Sequence, residues 1–250
     1  MERKVVLVTG GSRGIGAATA VLAAQQGWDV ALSYQSAADA AQAVVAHVQA
    51  LGVQALAVQA DVGDESQVLA LFAAADARFG RLDALVNNAG MVDRAQKLAD
   101  MSGERLDRML RVNTLGALLC AREAVRRMST ARGGRGGAIV NVSSIAARLG
   151  APNQYVDYAA SKGAMDVLTV GLAKEVASEG IRVNAVRPGL IDTDIHASGG
   201  QPDRVQRLAP HVPMQRGGTA EEVAQAIVWL MSDASPYTTG SWLEISGGNL

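Results

Sequence analysis

A tyrosine and a lysine stand four positions apart in the segment Tyr158-Ala-Ala-Ser-Lys162. On a helix, this spacing brings the two side chains to the same face. A free phenol titrates near pH ~10, and a neighbouring ammonium lowers that pKa because it favours the phenolate. Such a phenol can donate a proton to a developing alkoxide and recover it in reverse. The spacing predicts proton transfer at a carbonyl or alcohol oxygen, with a simple helix-surface pair as the alternative.

A glycine-rich turn, Thr9–Gly16 (TGGSRGIG), joins the first apolar run to the first helical pattern. Glycine accepts positive φ and lets the backbone approach a ligand closely. The N–H groups at the start of the following helix would then face a pyrophosphate. The turn lacks the Gly-Lys-Ser/Thr ending of a phosphate-binding NTPase loop. Its position after the first strand predicts a dinucleotide site rather than a tight turn without a ligand.

The end of the second strand bears on which dinucleotide binds. NAD-binding proteins of this type place an acidic residue there, on the adenosine ribose. Here the segment 32–36 reads Leu-Ser-Tyr-Gln-Ser, and Asp29 comes too early, at the start of the strand. Arg13 supplies a cation for a 2′-phosphate, and Ser36 supplies a hydroxyl donor. NADP(H) is therefore favoured over NAD(H), with a solvated surface arginine as the other interpretation of Arg13.

Short β-rich runs alternate with Ala-rich amphipathic segments along the whole chain. The expected strands are Val5–Val8, Asp29–Ser33, Gln54–Gln59, Ala84–Val86, Ala138–Val142, Arg182–Val186 and Trp242–Ile245. The expected helices are Ile15–Gln26, Ala38–Ala50, Glu65–Phe79, Glu104–Met128, Tyr158–Ser178 and Ala220–Met231. This alternation predicts the α/β class: one Rossmann-type doubly wound domain over 1–250, with a seven-stranded parallel sheet flanked by helices. The irregular stretch 190–218 is too long for an ordinary connection and is expected to form a substrate lid.

The composition narrows the classes of function. A net charge of -1 gives no electrostatic reason to expect nucleic acid or an acidic membrane surface. No apolar stretch approaches the ~18 residues of a membrane span, and Val5–Val8 is too short for a signal-peptide core. We therefore expect a cytoplasmic protein. The histidines His47, His196 and His211 are widely separated, so no metal site is expected, and the single cysteine, Cys120, is interpreted as a buried structural thiol.

Several further segments, taken together with the glycine-rich turn and the Tyr158/Lys162 pair, resemble the short-chain dehydrogenase/reductase family. The matching motifs occur in the family's order and cover nearly the whole chain. They are Thr9–Gly16, Asp61-Val62, Asn87–Gly90, Asn113, Ser143-Ser144, Tyr158 with Lys162, Pro188-Gly189 with Thr193, Thr239-Gly240 and Gly247-Gly248.

The resemblance implies a catalytic set of four residues. Tyr158 would be the general acid/base, and Lys162 would hold the nicotinamide ribose and lower the pKa of Tyr158. Ser144 would orient the substrate oxygen, and Asn113 would hold a water that links Lys162 to solvent. The set would support hydride transfer between the nicotinamide and a carbonyl carbon, with the protein supplying placement and the proton.

The resemblance also implies a cofactor-binding set. At the adenosine and pyrophosphate end it comprises Gly10, Ser12, Arg13, Ile15, Gly16, Tyr34, Ser36, Asp61 and Val62. Asn88, Ala89 and Gly90 would pack against the cofactor. At the nicotinamide end the set comprises Tyr158, Lys162, Pro188, Gly189, Ile191 and Thr193.

One departure from the family pattern lies before the tyrosine. Tyr158 follows Ser144 by fourteen residues, one more than in many relatives. Alignment at Gly150 keeps Ser144 as the match, with Ser143 as the substitute, and puts the extra residue within 151–157. A second tyrosine, Tyr155, lacks a lysine four positions on and is interpreted as a wall of the pocket.

Three functions remain open. The first is an NADP(H)-dependent carbonyl reductase or alcohol dehydrogenase that acts on a small molecule, beneath a lid with an apolar side. The second is a 3-oxoacyl-[acyl-carrier-protein] reductase, for which an arginine cluster would dock the acidic carrier protein, although Glu179 counts against it. The cluster comprises Arg122, Arg126, Arg127, Arg132 and Arg135. The third is a non-catalytic NADPH-binding sensor or scaffold. The resemblance further implies a homotetramer through the helices 104–128 and 158–178 and the C-terminal segment 242–250.

Overall fold

Seven short strands form one parallel sheet, as the alternation predicted. In the computed structural model, which describes residues 2–249, the strands follow the order β3-β2-β1-β4-β5-β6-β7. They are β1 (Val5–Val8), β2 (Asp29–Tyr34), β3 (Ala55–Gln59), β4 (Ala84–Asn87), β5 (Gly137–Val142), β6 (Ile181–Pro188) and β7 (Trp242–Ile245). The chain reverses direction across the sheet between β1 and β4. Ligands of doubly wound sheets bind outside the carboxyl ends of the strands at such a point.

Helices cover both faces of this sheet. The long ones are α1 (Gly14–Gln25), α2 (Ala38–Ala50), α3 (Glu65–Phe79), α5 (Gly116–Met128), α7 (Val156–Val176) and α10 (Ala220–Met231). The short ones are α4 (Gly103–Leu110), α6 (Ala146–Leu149), α8 (Ile195–Ser198) and α9 (Arg204–Leu208).

The core consists of two apolar layers, one on each face of the sheet. Val6 and Val8 of β1 belong to the layer beneath α1, α2 and α10. Leu7, between them, belongs to the opposite layer beneath α3, α5 and α7. Successive side chains of a strand point to opposite faces, so a strand covered on both sides must be apolar throughout. All four residues of β1 are accordingly buried.

The expected helix 104–128 is interrupted. It divides into α4 and α5, which are joined by a π-helical turn at Arg111–Leu115. The expected helix 158–178 begins at Val156 and ends at Val176, followed by a 3₁₀ turn. Tyr158 therefore lies in the first turn of α7.

The stretch 190–218, expected to be a lid, contains α8, α9 and a 3₁₀ turn at Ala209–His211. Its two ends meet where Ile191 pairs with Gly218 in an isolated β-bridge. The segment is thus a folded excursion from the carboxyl end of β6 rather than an extended connection.

Cys120 of α5 lies fully buried in the apolar layer beneath α3, α5 and α7. Burial raises the pKa of its thiol to about 12, and the charge of Glu123 adds to this effect. The thiol therefore has the structural character that the sequence indicated. Among residues 2–249, no helix is long and apolar enough to cross a membrane, and no group of three or more potential ligands could hold a metal ion.

Candidate active site

The glycine turn is held in place by Asn88, which follows β4. The Asn88 side-chain amide donates to the carbonyl oxygens of Thr9 and Gly10, both at 2.9 Å. The Thr9 hydroxyl in turn accepts hydrogen bonds from the backbone N–H groups of Asn88 and Ala89, both at 3.0 Å. The ends of β1 and β4, where the contacting residues are 78 positions apart in sequence, are thereby fixed together at the point where the strand order reverses.

Gly10 and Gly16 are required at their positions for different reasons. Gly10 has a φ of +63°, a conformation that other residues rarely adopt. A methyl group at Gly16 would lie 2.4 Å from the carbonyl oxygen of Gly10, too close for any side chain. The turn therefore folds tightly over the start of α1. No side chain caps that helix at Arg13, so its first N–H groups are free to bind an anion.

A cavity of about 680 Å³ extends from this turn along the ends of β2 and β3. Predicted cofactor residues line it, namely Gly10, Ser12, Arg13, Ile15, Tyr34, Ser36, Asp61, Val62, Asn88, Ala89, Gly90 and Thr193. The Asp61 carboxylate is already engaged: it accepts from the amide of Gln35 at 3.1 Å and from the backbone of Gly63 at 2.8 Å. Arg13 is exposed at the mouth of the cavity, with its side chain available to a ligand.

A second cavity, of about 490 Å³, continues from the first over the carboxyl ends of β5 and β6. Gly90 and Thr193 line both cavities. The predicted residues found only in the second are Ser144, Tyr158, Lys162, Pro188, Gly189 and Ile191. The two cavities form one cleft. We call the first the adenosine cavity and the second the catalytic cavity.

Tyr158, Lys162 and Ser144 converge in the catalytic cavity. The ammonium of Lys162 lies 5.6 Å from the centre of the Tyr158 ring and donates to the carbonyl oxygen of Val142 at 2.7 Å. Ser144 is half-buried and accepts from the backbone of Ala146, whereas Ser143 is buried and donates to the carbonyl oxygen of Lys162. The hydroxyl of Ser143 is therefore committed to α7, and Ser144 is the better placed to meet a substrate.

Asn113 sits in the π-helical turn, and both its side-chain oxygen and its side-chain nitrogen have partners in the protein. Its oxygen accepts from the backbone of Met91 at 2.8 Å, and its nitrogen donates to the Met91 carbonyl at 2.9 Å and to the Ser161 hydroxyl at 3.1 Å. These hydrogen bonds fix the loop after β4 against α7. The water that Asn113 is expected to hold between Lys162 and solvent stays a prediction.

Burial dominates the electrostatics of the catalytic pair. It raises the pKa of Tyr158 above the usual value of 10.0, and the Ser144 side chain acts in the opposite direction. Burial also lowers the pKa of Lys162 to about 8, against the effect of the negative charge of Asp166. The lowering of the Tyr158 pKa expected from Lys162 is not among the effects on this group, and burial of the phenol is the larger of the two that act on it.

Most predicted site residues line the cleft. A few other residues that line it were not selected from the sequence. Gly16 and Asn113 are the two predicted residues that do not line it; both act by supporting its wall. Tyr155 lines the catalytic cavity, as expected. Gln35 and Arg204 were missed. Gln35 follows a strand end, which is a usable signal, but nothing in the polar stretch 201–207 distinguishes a cavity-lining arginine from a surface one.

Comparison with known proteins identifies the family to which this chain belongs. Residues 10–249 match a family model described as enoyl-(acyl carrier protein) reductase. The chain is 57% identical to the uncharacterized oxidoreductase YgfF of Escherichia coli (strain K12), over 98% of this chain and 99% of that protein. This chain belongs to the short-chain dehydrogenase/reductase family. It is an oxidoreductase of that type.

Solved structures of other short-chain dehydrogenases agree with the assignment. One from Burkholderia cenocepacia, in complex with NADP, is 38% identical with a TM-score of 0.89, over 98% of this chain and 97% of that one. A 3-ketoacyl-(acyl-carrier-protein) reductase from Brucella melitensis, complexed with NADH, is 32% identical with a TM-score of 0.91, over 99% and 98%. Short-chain dehydrogenases bind nicotinamide cofactors, and the backbone cradle at Gly10 and Gly16 fits the pyrophosphate of such a group.

Proposed function

We propose that this protein is an NADP(H)-dependent oxidoreductase that interconverts a small-molecule carbonyl compound and its secondary alcohol. The observation that carries the proposal is the continuity of the cleft. The glycine cradle opens into a cavity where Tyr158, Ser144 and Lys162 converge. A dinucleotide bound along the cleft would bring its reactive end to the phenol.

In the direction of reduction, the residues of this chain have distinct roles. A nicotinamide cofactor held by the glycine cradle would supply the hydride that the carbonyl carbon receives. The Ser144 hydroxyl donates a hydrogen bond to the carbonyl oxygen and orients it, and the Tyr158 phenol gives its proton to that oxygen as negative charge develops. The Lys162 ammonium would stabilise the phenolate that remains and would hold the nicotinamide ribose. The alcohol forms with one hydride and one proton added, and oxidation reverses each step.

Preference for NADP(H) over NAD(H) is supported by the adenosine cavity. Arg13, Tyr34 and Ser36 line it beside the end of β2. The strand ends at Tyr34, and Gln35 and Ser36 follow it, so this segment has no carboxylate that would repel a 2′-phosphate. The NADP complex of the Burkholderia relative is consistent with this choice, whereas the NADH complex of the Brucella relative keeps NAD(H) as the alternative.

Reduction of an acyl-carrier-protein substrate remains the second candidate, and its expected docking cluster is weakened by ion pairing. Arg122 pairs with Glu65 at 2.7 Å, and Arg127 pairs with Asp76 and Glu123, both at 2.8 Å. Arginines that already have acidic partners offer less charge to an acidic carrier protein. The likeness to the Brucella carrier-protein reductase nevertheless justifies testing this substrate.

A homotetramer through α5 and α7 also remains a proposal. Leu118 of α5 and Val167 of α7 are exposed, as is Leu115 directly before α5, and Val167 is 74% exposed. Large apolar side chains on adjacent helix faces are expected at a subunit interface. Sedimentation analysis would measure the mass of the particle.

The function is tested with a panel of ketones, aldehydes and secondary alcohols, which includes an acyl-carrier-protein thioester, assayed with NADPH and NADH. Wild-type protein should turn over at least one carbonyl class. Tyr158→Phe should lower kcat by roughly 10²- to 10⁴-fold while NADPH affinity is kept, because only the proton donor is removed.

Tyr155→Phe is the matched control, because Tyr155 lines the same cavity without a lysine four positions on. Its effect on kcat should be far smaller. Wild-type rates in Tyr158→Phe would contradict the assignment of the acid/base. Cofactor binding without turnover of any substrate would favour the non-catalytic sensor or scaffold.

A further inference from the structure

The catalytic cavity has an unusual balance of charge. Among the described residues that line it there are two basic side chains, Lys162 and Arg204, and two histidines, His196 and His211, but no aspartate or glutamate. The protein as a whole carries a net charge of -1. The positive character is therefore local to this cavity. Lys162 is accounted for by Tyr158 and the cofactor, whereas Arg204 has no role in the proposed reaction.

Arg204 opens the short helix α9 in the lid and is half-buried. One guanidinium nitrogen, Nη1, donates to the amide oxygens of Gln154 and Gln201, at 3.0 and 3.1 Å. The guanidinium lies 5.4 Å from the centre of the Tyr155 ring. These neutral partners hold the side chain in place without neutralising its charge. Within residues 2–249, Nε and Nη2 make no hydrogen bond and no carboxylate forms an ion pair with Arg204.

Most other arginines of this protein are neutralised by acids. Its neighbour on α9, Arg207, is close to the carboxylate of Asp203, and Arg216 pairs with Glu222. The buried Arg105 pairs with Asp157. A half-buried guanidinium without a carboxylate has unused capacity for a bidentate anion, because its planar fork matches the geometry of a carboxylate.

We propose that Arg204 binds a carboxylate of the substrate, so that the preferred substrates are small oxo acids and the corresponding hydroxy acids. This inference rests on the proposed carbonyl–alcohol function and deepens it. The carbonyl meets Ser144 and Tyr158 at the floor of the cavity, and the carboxylate meets Arg204 at the lid. The cavity has a volume of about 490 Å³ and must also hold the nicotinamide. The remaining space therefore limits the acid to a short carbon chain.

Turnover is measured with NADPH for 3-oxobutanoate, 4-oxopentanoate and 5-oxohexanoate, each beside its methyl ester. The three acids differ in the spacing between carbonyl and carboxylate. We expect wild-type protein to prefer at least one acid over its ester in kcat/KM. Arg204→Leu should reduce that acid-to-ester ratio by about 10- to 100-fold, mainly through KM, and Arg204→Lys should restore part of it.

Arg207→Leu is the matched control on the same helix. Arg207 donates to the same Gln201 amide oxygen, at 2.7 Å, but does not line the cavity. Its replacement removes a contact to Gln201 and one arginine of the lid without removing the cation of the cavity. The acid-to-ester ratio of Arg207→Leu should equal that of the wild type.

A binding measurement separates this inference from the proposed reaction. Titration calorimetry of the NADPH-loaded protein compares pentanoate with pentanamide, neither of which can be reduced. Tighter binding of pentanoate that is lost in Arg204→Leu supports the inference even if no ketone is turned over. Equal binding of the two compounds, or an acid preference that survives in Arg204→Leu, overturns it even if neutral ketones are good substrates.

Discussion

The ammonium of Lys162 donates a 2.7 Å hydrogen bond to the main-chain carbonyl oxygen of Val142, in a site where both groups are buried. Val142 is the last residue of β5, so the side chain from α7 is fixed to the carboxyl end of an interior strand of the sheet. Lys162 lines the catalytic cavity. Within residues 2–249 no carboxylate forms an ion pair with it, although the charge of Asp166 acts on its pKa. The cost of burying the ammonium charge is reflected in the pKa of Lys162, which is lowered to about 8.

A lowered lysine pKa has a defined effect on stability. Below pH 8 both folded and unfolded chains carry this proton. Between about 8 and the usual 10.5, the folded protein releases it while the unfolded chain retains it, so wild-type stability rises with pH. The stability of Lys162→Met relative to wild type should therefore fall by roughly 2 kcal/mol between pH 7 and pH 10. Urea denaturation at both pH values measures this difference.

Lys174→Met provides the control for that experiment, because Lys174 is exposed on the same helix. Its stability relative to wild type should stay constant over the range. A constant difference for Lys162→Met as well would show that the buried ammonium does not titrate as described.

Arg13→Ala should weaken the binding of NADPH more than the binding of NADH. Loss of the cation at the mouth of the adenosine cavity should raise the Kd for NADPH by about 10- to 100-fold, the value of one or two charge-assisted hydrogen bonds, and the Kd for NADH by far less. Fluorescence titration measures both. Arg111→Ala is the control, because Arg111 lines the same cavity but is engaged by Asp107 at 3.2 Å. Equal weakening of both dinucleotides in Arg13→Ala would remove Arg13 as the 2′-phosphate ligand.

Gly16→Ala should impair binding of both dinucleotides alike. Its methyl group would lie 2.4 Å from the Gly10 carbonyl oxygen and 2.5 Å from the Asn88 amide nitrogen, so the whole glycine turn must shift. We expect at least about a tenfold rise in Kd for NADPH and for NADH, the effect of losing one or more hydrogen bonds to the charged pyrophosphate. Gly171→Ala is the control within α7, where a methyl group meets nothing within 4 Å and should stabilise the helix by about 0.5–1 kcal/mol. Unchanged affinity in Gly16→Ala would mean that the cradle tolerates displacement.

Asp157→Ala should destabilise the protein strongly. The carboxylate of Asp157, next to Tyr158, accepts from Arg105 at 2.8 Å, and their side chains are only 1% and 6% exposed. Removal of one partner leaves a buried charge uncompensated, at a cost of about 3–5 kcal/mol. Asp107→Ala, which breaks the exposed pair with Arg111, should cost less than about 1 kcal/mol. Similar midpoints of urea denaturation for the two variants would contradict this account.

Elements with a strong apolar period could be located from the sequence. The expected bounds of α2, α3 and α10 coincide with those observed, because buried alanine, valine and leucine positions repeat on one helix face. The π-helical turn at Arg111–Leu115 could not be predicted, since no residue type marks it. Within this turn the Asn113 side chain makes hydrogen bonds with both Met91 and Ser161, which are partners from distant segments.

Side-chain partners were the least predictable part of the site. From the sequence, Arg122 and Arg127 were expected to be available to a protein ligand. Their acidic partners Glu65 and Asp76 are 57 and 51 residues away in sequence, so these ion pairs could not be foreseen. Arg204 looked like an ordinary surface residue, because only the folded lid brings it to the catalytic cavity. Residue types and spacing predict which groups can react, whereas ion pairing depends on tertiary contacts between remote segments.

The burial of Cys120 gives this protein an intrinsic reporter of its own unfolding. As its only cysteine, fully enclosed in the core, it should be inaccessible to maleimide until the apolar layer around it opens. The rate of labelling would then follow opening of that layer, with no introduced probe. The protection that each dinucleotide gives against labelling could then be compared directly on the unaltered chain.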